Sequence, residues 1–326
     1  MKKIYGNDYL LSTLESMVNC GRTAHTVLFY GEKGCGRKLI AKYYIKLLLC
    51  ENKIDGKPCG VCQTCRNVDT EAHPDVWFVN KSGKLGGFSV ETAGIVANDA
   101  YIKPNNQSNV KVYVFADCQN FDVRPQNKLL KLVEEPPDYV YFIFTAESKS
   151  VFLPTIISRC VCFGVSVGTE EEAGLALSEC GYDKDDIKRA VSCFHGNIGM
   201  CTDYIFNEEL RNKVDLTKSL ADSIIRRDEY ALNCAFYSVG KDRNDVRTTL
   251  LLLDTLVRDA AVLIKNSSAK TIGCFREGAE KLAESITVYQ AARIHKHIER
   301  AWKAIECNVS APLVLASLCA DIISDL

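Results

Sequence analysis

The chain has no excess of charge of either sign. Its 326 residues include 40 lysines and arginines and 41 aspartates and glutamates, so the formal net charge is -1. A protein that coats nucleic acid through bulk positive charge needs a strongly basic surface. The balance therefore excludes that class of protein and leaves open only a local basic patch.

Long hydrophobic runs are also absent. Residues 1–6 lead directly into polar sequence, without the apolar core of a signal peptide. The most apolar later stretch, Leu250–Ile264, is interrupted by Asp254, Arg258 and Asp259, whereas a membrane-spanning helix needs about 20 consecutive apolar residues. We therefore expect a cytoplasmic protein with no membrane contact, in which this stretch forms a buried helix.

Internal repeats are absent too, and the single low-complexity piece, Lys81–Gly87, predicts a flexible loop. At this length the chain can form two or three domains that each bury a core. Cysteine, by contrast, is abundant, with 16 residues. Because disulfides are rare in a reducing compartment, we expect most of these thiols to be buried hydrophobic groups or metal ligands.

Apolar strands alternate with helical segments in the first half of the chain. Asn7 is placed to cap a first helix, and a helix from about residue 39 to 49 follows the first strand. The predicted strands are apolar on both faces: Thr26–Tyr30, Val76–Val79, Val112–Phe115 and Val140–Phe144. This pattern is typical of a parallel sheet that helices cover on both sides. Residues 1–165 are therefore predicted to form one α/β domain.

The rest of the chain is predicted to be helical. Thr169 and Glu172 form a capping-box pattern for a new helix, and Gly196 is a candidate C-terminal cap of another. A small helical domain thus fits residues 166–208. Over residues 209–326 apolar residues recur with a period near 3.6, which predicts a third, all-helical domain.

A glycine-rich loop follows the first predicted strand and reads Gly-Glu-Lys-Gly-Cys-Gly-Arg-Lys. A functional phosphate-binding loop follows the pattern G-x-x-x-x-G-K-[ST], in which backbone N–H groups cradle phosphate, the lysine reaches the outer phosphates and the hydroxyl holds Mg²⁺. The glycine framework is kept at Gly31, Gly34 and Gly36. Arg37, however, replaces the lysine, and Lys38 replaces the hydroxyl residue. We therefore predict the fold of a nucleotide-driven machine in a chain that does not hydrolyse ATP, with residual nucleotide or phosphate binding left open.

Four cysteines share the spacing C-x8-C-x2-C-x2-C, and they are Cys50, Cys59, Cys62 and Cys65. Four thiolates suit tetrahedral zinc, and two-residue gaps let neighbouring ligands converge from a tight turn. The alternative, four buried free cysteines, fits poorly with such a polar, turn-rich segment. We predict a zinc module inserted at about residues 50–66, structural because four thiolates leave no open coordination position. His73 lies nearby and is expected to pack or to form a hydrogen bond.

Two further motifs make the chain resemble one family. Leu129–Pro137 is similar to that family's helix ending in Leu-Glu-Glu-Pro-Pro, whose prolines are expected to stop the helix. Leu153–Cys160 carries the family's Ser-Arg-Cys signature. Together with the cysteine module, these motifs resemble the bacterial DNA polymerase III clamp-loader family, and within it the delta-prime subunits. The resemblance spans nearly the whole chain.

The resemblance implies an AAA+ P-loop domain, a small helical lid domain and a helical collar domain. It also implies that Arg159, between its motif neighbours Ser158 and Cys160, is an arginine finger that projects into the ATP site of a neighbouring subunit. A planar, permanently charged guanidinium can neutralise charge on a transferring γ-phosphate. The alternative is that Arg159 only pairs with a carboxylate at the edge of its own domain.

Two other positions depart from the ATP-hydrolysing members of that family. In those members, the strand equivalent to residues 111–115 is followed by two acidic residues, the first holding Mg²⁺ and the second polarising water. Here Ala116 and Asp117 follow, and Asp117 is expected to cap a helix. The lid arginine of the family's Gly-x-x-Arg pattern is also missing, because Gly196 is followed by Gly199 at that spacing.

The resemblance therefore implies a subunit of the sliding-clamp loader in DNA replication that does not hydrolyse ATP itself and acts as a rigid ring member. Its partners would be gamma/tau ATPase subunits and a delta subunit, with the sliding clamp and primer-template DNA contacted through the complex. Two alternatives stay open. One is an active ATPase, either a gamma/tau-like motor subunit or an unrelated zinc-containing NTPase. The other is a zinc-ribbon DNA-binding protein that works outside a ring.

Overall fold

The computed structural model describes residues 3–83 and 86–326, so part of the predicted loop Lys81–Gly87 lies outside the described residues. Contacts divide the chain into two compact units, residues 1–172 and 173–326. The finer division of the helical part into a lid and a collar stays a prediction.

The first unit is built on a sheet of parallel strands. The strands are β1 (Thr26–Tyr30), β2 (Val76–Phe78), β3 (Lys111–Phe115), β4 (Val140–Ala146) and β5 (Val161–Gly164). Their order in the sheet is β2-β3-β4-β1-β5, and every neighbouring pair is parallel. Every residue of β3 and β4 is buried. The predicted α/β class with a parallel sheet is confirmed.

Helices cover both faces of this sheet. They are α1 (Asp8–Asn19), α2 (Arg37–Leu49), α3 (Gln63–Asp69), α4 (Val90–Asp99), α5 (Val123–Glu134) and the single-turn α6 (Pro154–Ile157). Successive strand residues point to opposite faces, so β4 contributes to two cores. Tyr141 and Ile143 pack with residues of α1 and α2, whereas Phe142 and Phe144 pack with residues of α4 and α5.

Three details of the first unit differ from the sequence predictions. α2 begins at Arg37, earlier than expected, because Gly36 adopts a left-handed φ of 93° as its N-cap. Asn7 stands at the N-cap of α1 but makes no side-chain capping bond. Its amide instead donates to Ser166 O at 2.9 Å and accepts from Ser166 N at 3.0 Å. β5 was not predicted, because it is an edge strand whose side chains are partly exposed.

The second unit is helical throughout. After α7 (Glu170–Glu179), which begins in the first unit, it contains α8 (Lys184–Phe194), α9 (Ile198–Phe206), α10 (Glu208–Arg226), α11 (Glu229–Ser238), α12 (Arg243–Lys265), α13 (Arg276–Ser285), α14 (Val288–Glu306) and α15 (Ala311–Asp325). α12 packs against α10, α13 and α14, and α14 packs against α15. α12 contains the predicted buried helix. Among the described residues, no helix combines the length and the apolar character needed to cross a membrane.

Helix ends in this part of the chain follow local hydrogen bonding. The predicted capping box is present, since Thr169 N donates to Glu172 Oε2 at 2.8 Å and Glu172 N donates to Thr169 Oγ1 at 3.2 Å. α8 ends at Phe194, and His195, with a φ of 51°, is its C-cap. The residue with a positive φ at this helix end is thus His195 and not the glycine that follows it.

Candidate functional site

The glycine loop joins the carboxyl end of β1 to α2. Gly31 has no room for a side chain, because a Cβ there would lie 2.3 Å from the carbonyl oxygen of Val165. Gly34 and Gly36 have φ angles of 84° and 93°, in the left-handed region that favours glycine. The loop conformation therefore requires these glycines, whatever the loop binds.

Arg37 stands at the position of the P-loop lysine, and carboxylates of its own chain lie beside its guanidinium. The side chain is only 6% exposed, and its Nη2 lies 3.2 Å from Asp117 Oδ1 and 4.0 Å from Glu147 Oε1. Nη1 is buried without a hydrogen-bond partner among the described residues. Asp117 follows β3 and Glu147 follows β4, which are neighbours in the sheet. The three side chains meet at the carboxyl edge, where parallel α/β proteins bind ligands.

Asp117 does not have the helix-capping role that the sequence suggested. It has a φ of 51°, and its side chain makes no capping bond to the 3₁₀ turn that follows. Its Oδ1 accepts a hydrogen bond from Arg37, and its N–H donates to Thr145 Oγ1 at 2.8 Å. Ala116 precedes it. The carboxylate that follows β3 is thus engaged by an arginine of the same chain.

Lys38 is paired outside the glycine loop. Its Nζ lies 2.7 Å from Glu71 Oε1, and Lys42 Nζ lies 2.9 Å from the same oxygen. Burial raises the pKa of Glu71, but hydrogen bonds from Lys38 and Lys42 outweigh it and hold that pKa below its usual value. The lysine at the hydroxyl position therefore contributes to an ion-pair cluster beyond α3.

The four cysteines of the predicted metal module converge. The Sγ atoms of Cys50, Cys59, Cys62 and Cys65 all lie within 4.8 Å of one another, and the Cys50 and Cys59 sulfurs are 3.7 Å apart. In a tetrahedral site with Zn–S bonds of about 2.3 Å, neighbouring sulfurs are roughly 3.8 Å apart. The cluster therefore has dimensions that fit a metal ion.

Local structure brings these ligands together. Cys50 is the C-cap of α2, and Cys62 is the N-cap of α3, where its sulfur accepts the N–H of Cys65. Between them, Asp55 and Gly56 both have positive φ, at 49° and 75°, as in the two-residue turns that close hairpins. The chain therefore doubles back within a few residues and returns its last thiols to the first.

Backbone N–H groups polarise the cluster. The N–H groups of Cys59, Cys62 and Cys65 each donate to the sulfur of the cysteine before them in the cluster, at 3.5, 3.3 and 3.4 Å. Donors at Val61 and Cys62 lower the pKa of Cys59 to about 6, whereas burial raises the pKa of Cys50 and Cys65. One thiol is thus ready to ionise, and a metal ion would displace the remaining protons.

His73 forms a hydrogen bond outside this cluster. Its Nδ1 accepts the N–H of Asp75 at 3.2 Å, and burial lowers its pKa.

Arg159 lies just after α6 in a partly exposed position. Its Nη2 is 2.7 Å from Glu134 Oε1, and its side chain is 39% exposed. Its Nη1 donates to Thr155 O at 3.0 Å and to Ser158 Oγ at 3.3 Å. Burial raises the pKa of the Cys160 thiol to about 12, so Cys160 is a neutral packing group. The carboxylate pair that the alternative anticipated is present, and the guanidinium still reaches solvent.

Gly199 is the second residue of α9 in the second unit, where Asn197 caps the helix by accepting the N–H of Met200 at 3.1 Å. The position at which the resemblance predicts a lid arginine therefore carries no charge.

Sequence reasoning missed two carboxylates of the site. Glu147 directly follows β4, and this position at the carboxyl edge of a parallel sheet is a usable signal. Glu134 lies within a motif that was recognised only as a helix terminus. Its contact with Arg159 has no signature in the spacing of either motif.

Comparisons with known proteins show what the chain is similar to. A family model described as DNA polymerase III, delta subunit, matches residues 6–167. DNA polymerase III subunit tau of Escherichia coli K12 is 30% identical over 160 residues, which are 49% of this chain and 24% of that protein. DNA polymerase III subunit gamma of Buchnera aphidicola from Acyrthosiphon pisum is 29% identical over 203 residues, which are 60% of this chain and 55% of that protein.

The chain thus spans about half of the gamma relative and about a quarter of the tau relative. A crystal structure of a DNA polymerase III gamma subunit-related protein from Thermotoga maritima aligns over 96% of this chain and 98% of its own, with a TM-score of 0.45 and 14% identity. The assignment therefore rests on the sequence matches. Residues 6–167 therefore match the DNA polymerase III delta-subunit family, and the chain is similar in sequence to gamma and tau subunits of DNA polymerase III.

Proposed function

We propose that this chain is a delta-prime-like clamp-loader subunit that does not hydrolyse ATP and that completes the ATP site of a neighbouring subunit with Arg159. In this proposal its first unit is an AAA+ domain, its second unit supplies a lid and a collar, and its partners are gamma/tau ATPase subunits and a delta subunit. The sliding clamp and primer-template DNA are reached through the assembled ring.

The observation that carries the proposal is the environment of Arg37. A P-loop lysine must be free to reach the outer phosphates of a nucleotide. Arg37 is nearly fully buried, and Asp117 and Glu147 of its own chain lie beside its guanidinium. The position that would hold the first of two acidic residues is Ala116. Mg²⁺-dependent phosphoryl transfer uses a cation that is free to reach the phosphates and carboxylates that hold the metal. The burial of Arg37 beside Asp117 and Glu147 supports the proposal that this chain does not hydrolyse ATP.

Arg159 has the properties that a finger acting in trans needs. It is permanently charged and lies partly exposed after α6, held by Thr155 and Ser158. A guanidinium placed against a transferring γ-phosphate stabilises negative charge in the transition state without any nucleotide bound to its own chain. The chain would thus take part in catalysis at a site that it does not contain.

We also propose that the four-cysteine cluster binds zinc as a structural ion. The mutual distances of its sulfurs fit tetrahedral coordination, and four thiolates would leave no coordination position for substrate. Bound zinc would link the end of α2 to α3 and hold the turn between them. The thiols that would hold it are Cys50, Cys59, Cys62 and Cys65.

The second candidate function is an active gamma/tau-like ATPase. It is favoured by one observation, namely that the curated relatives reported above are gamma and tau subunits. The two functions differ in where hydrolysis takes place. A motor subunit hydrolyses ATP in its own glycine loop, whereas the proposed subunit only assists a neighbour.

The purified full-length chain distinguishes the two functions. Turnover of Mg-ATP is measured for the wild type and for the variants Arg37→Ala and Arg159→Ala. The proposal predicts no turnover above buffer for any of the three proteins. Turnover that persists in Arg159→Ala and disappears in Arg37→Ala would establish the motor function instead.

A further inference from the structure

Two motifs that lie apart in the sequence meet at one ion pair. Glu134 is the last residue of α5, and Arg159 follows α6. The Arg159 Nη2 and Glu134 Oε1 atoms are 2.7 Å apart, and the two side chains are 39% and 42% exposed. The pair is therefore at the surface, where a group of another molecule can reach the guanidinium.

The carboxylate is presented from a firmly anchored helix. Leu132 and Val133, next to Glu134, are buried in the core between α5 and the sheet. At the other end of α5, the buried amide of Gln126 donates to Val151 O at 2.9 Å and accepts from Leu153 N at 2.8 Å. The helix is thus tied to the segment that leads into α6, and Glu134 is fixed relative to the backbone that carries Arg159.

The remaining contacts of Arg159 fix the plane of its guanidinium. Nη1 donates to Thr155 O and to Ser158 Oγ, and Ser158 Oγ donates to the same carbonyl at 3.1 Å. Together with Glu134, these are three contacts for a group with five N–H donors. Two donors have no partner among the described residues and are available to an oxygen anion from outside the chain.

The strength of the ion pair between Arg159 and Glu134 indicates whether Glu134 orients the guanidinium or withholds it from a partner. Exposed ion pairs shift equilibria by only about two- to fivefold, and a multiply charged phosphate would readily compete with Glu134 for the guanidinium. The pair is therefore too weak to withhold Arg159 from a partner. It is strong enough to favour one orientation of a long side chain that would otherwise sample many rotamers.

We propose that Glu134 is a positioning residue that holds Arg159 in the orientation in which it enters the ATP site of the neighbouring subunit. This inference rests on the proposed function, because it requires Arg159 to act in trans. Glu134 touches neither the nucleotide nor the reacting atoms. Its contribution comes entirely through the orientation of the guanidinium before the partner's phosphate arrives.

The test uses the complete complex in which the chain co-purifies with its ATPase partner, reconstituted with variants of this chain. Single-turnover hydrolysis of ATP is measured as a function of ATP concentration. Arg159→Ala is expected to abolish the contribution of this chain, and Glu134→Ala to lower the maximal rate about two- to fivefold without changing the ATP concentration for half-maximal rate. Glu134→Gln, which keeps an oxygen acceptor for Nη2, should restore most of the rate.

Two controls separate orientation from a general structural effect. Glu135→Ala removes the adjacent exposed carboxylate, which forms no ion pair among the described residues, and should leave the rate unchanged. In the Arg159→Ala background, Glu134→Ala should have no further effect, because a positioning residue has nothing left to position.

The possible results test the proposed function and the positioning role of Glu134 separately. A normal rate with Arg159→Ala would overturn the proposed function and this inference with it. A rate that is lost with Arg159→Ala and normal with Glu134→Ala would overturn only the inference. An equal additional loss from Glu134→Ala in both backgrounds would show that Glu134 acts independently of Arg159, which also contradicts positioning.

Discussion

Two arginines of the first unit carry the same charge in opposite environments. Arg37 is 6% exposed beside two carboxylates of its own chain, whereas Arg159 is 39% exposed and paired with one surface carboxylate. A buried guanidinium with nearby carboxylates stays with them, because separating them would leave an unpaired charge in the interior. An exposed one can exchange its partner at little cost. Access to solvent therefore decides which arginine can serve another molecule.

α2 joins Arg37, its first residue, to Cys50, its C-cap. Breaking the cysteine cluster should give the largest effect on stability. With Cys65→Ser, zinc content should fall to near zero and the free energy of unfolding should drop by more than about 3 kcal/mol, because metal binding contributes directly to folding. Urea unfolding and metal analysis of the purified chain measure both quantities. Cys20→Ser, at an exposed cysteine outside the cluster, should change neither.

Wild-type protein that contains no zinc when freshly purified would contradict the metal assignment. Equal stability of Cys65→Ser and Cys20→Ser would do the same.

The pair at the glycine loop should respond asymmetrically to the removal of either partner. Asp117→Asn leaves the buried Arg37 guanidinium with only Glu147 nearby and should cost about 1–2 kcal/mol. Arg37→Met removes the buried charge, keeps most of the volume and leaves two half-exposed carboxylates in water, so it should cost less than about 1 kcal/mol. Urea unfolding at neutral pH compares the two. A larger loss of stability with Arg37→Met than with Asp117→Asn would show that the loop depends on the charge of its arginine. It would contradict the contrast between Arg37 and Arg159.

The smallest effect concerns Glu71, which engages Lys38. Its pKa in the folded chain lies below the ordinary value of about 4.3. The ion pairs therefore stabilise the fold above that value, and this stabilisation is lost as pH falls through the folded pKa. Glu71→Gln should lower the free energy of unfolding by less than about 1 kcal/mol at pH 7, and this difference should shrink as pH falls through the folded pKa.

Glu51→Gln, at an exposed carboxylate, is the matched control and should have no effect at neutral or acidic pH. A difference between Glu71→Gln and wild type that grows in acid would reverse the expected sign and rule out this role for Glu71.

The parts of the fold that could be predicted are those whose evidence is local. β3 and β4 are buried on both faces and appear in the sequence as continuous apolar runs. β5 is an edge strand with partly exposed side chains, so the same criterion could not find it. Asn7 shows the limit of capping rules, because its side chain forms a tertiary contact with Ser166 and makes no capping bond.

The same distinction between local features and long-range contacts applies to the candidate site. The cysteine cluster could be predicted because its ligands are close in sequence and joined by short turns. The partners of the two arginines could not, since Arg37 and Asp117 are 80 residues apart and meet only because β3 ends beside the glycine loop. The arginine at the position of the P-loop lysine predicts a loss of ATP hydrolysis, but only the fold reveals which carboxylates lie beside its charge.

The most direct test of the account compares the two arginines in one assembled complex. DNA-stimulated ATP hydrolysis is measured with wild-type chain, Arg37→Met and Arg159→Ala, each at equal incorporation. We predict a normal rate for Arg37→Met. For Arg159→Ala we predict a lower rate, reduced by the contribution of the neighbouring ATP site that this chain is proposed to complete. A normal rate with Arg159→Ala, or a loss with Arg37→Met, would contradict the account.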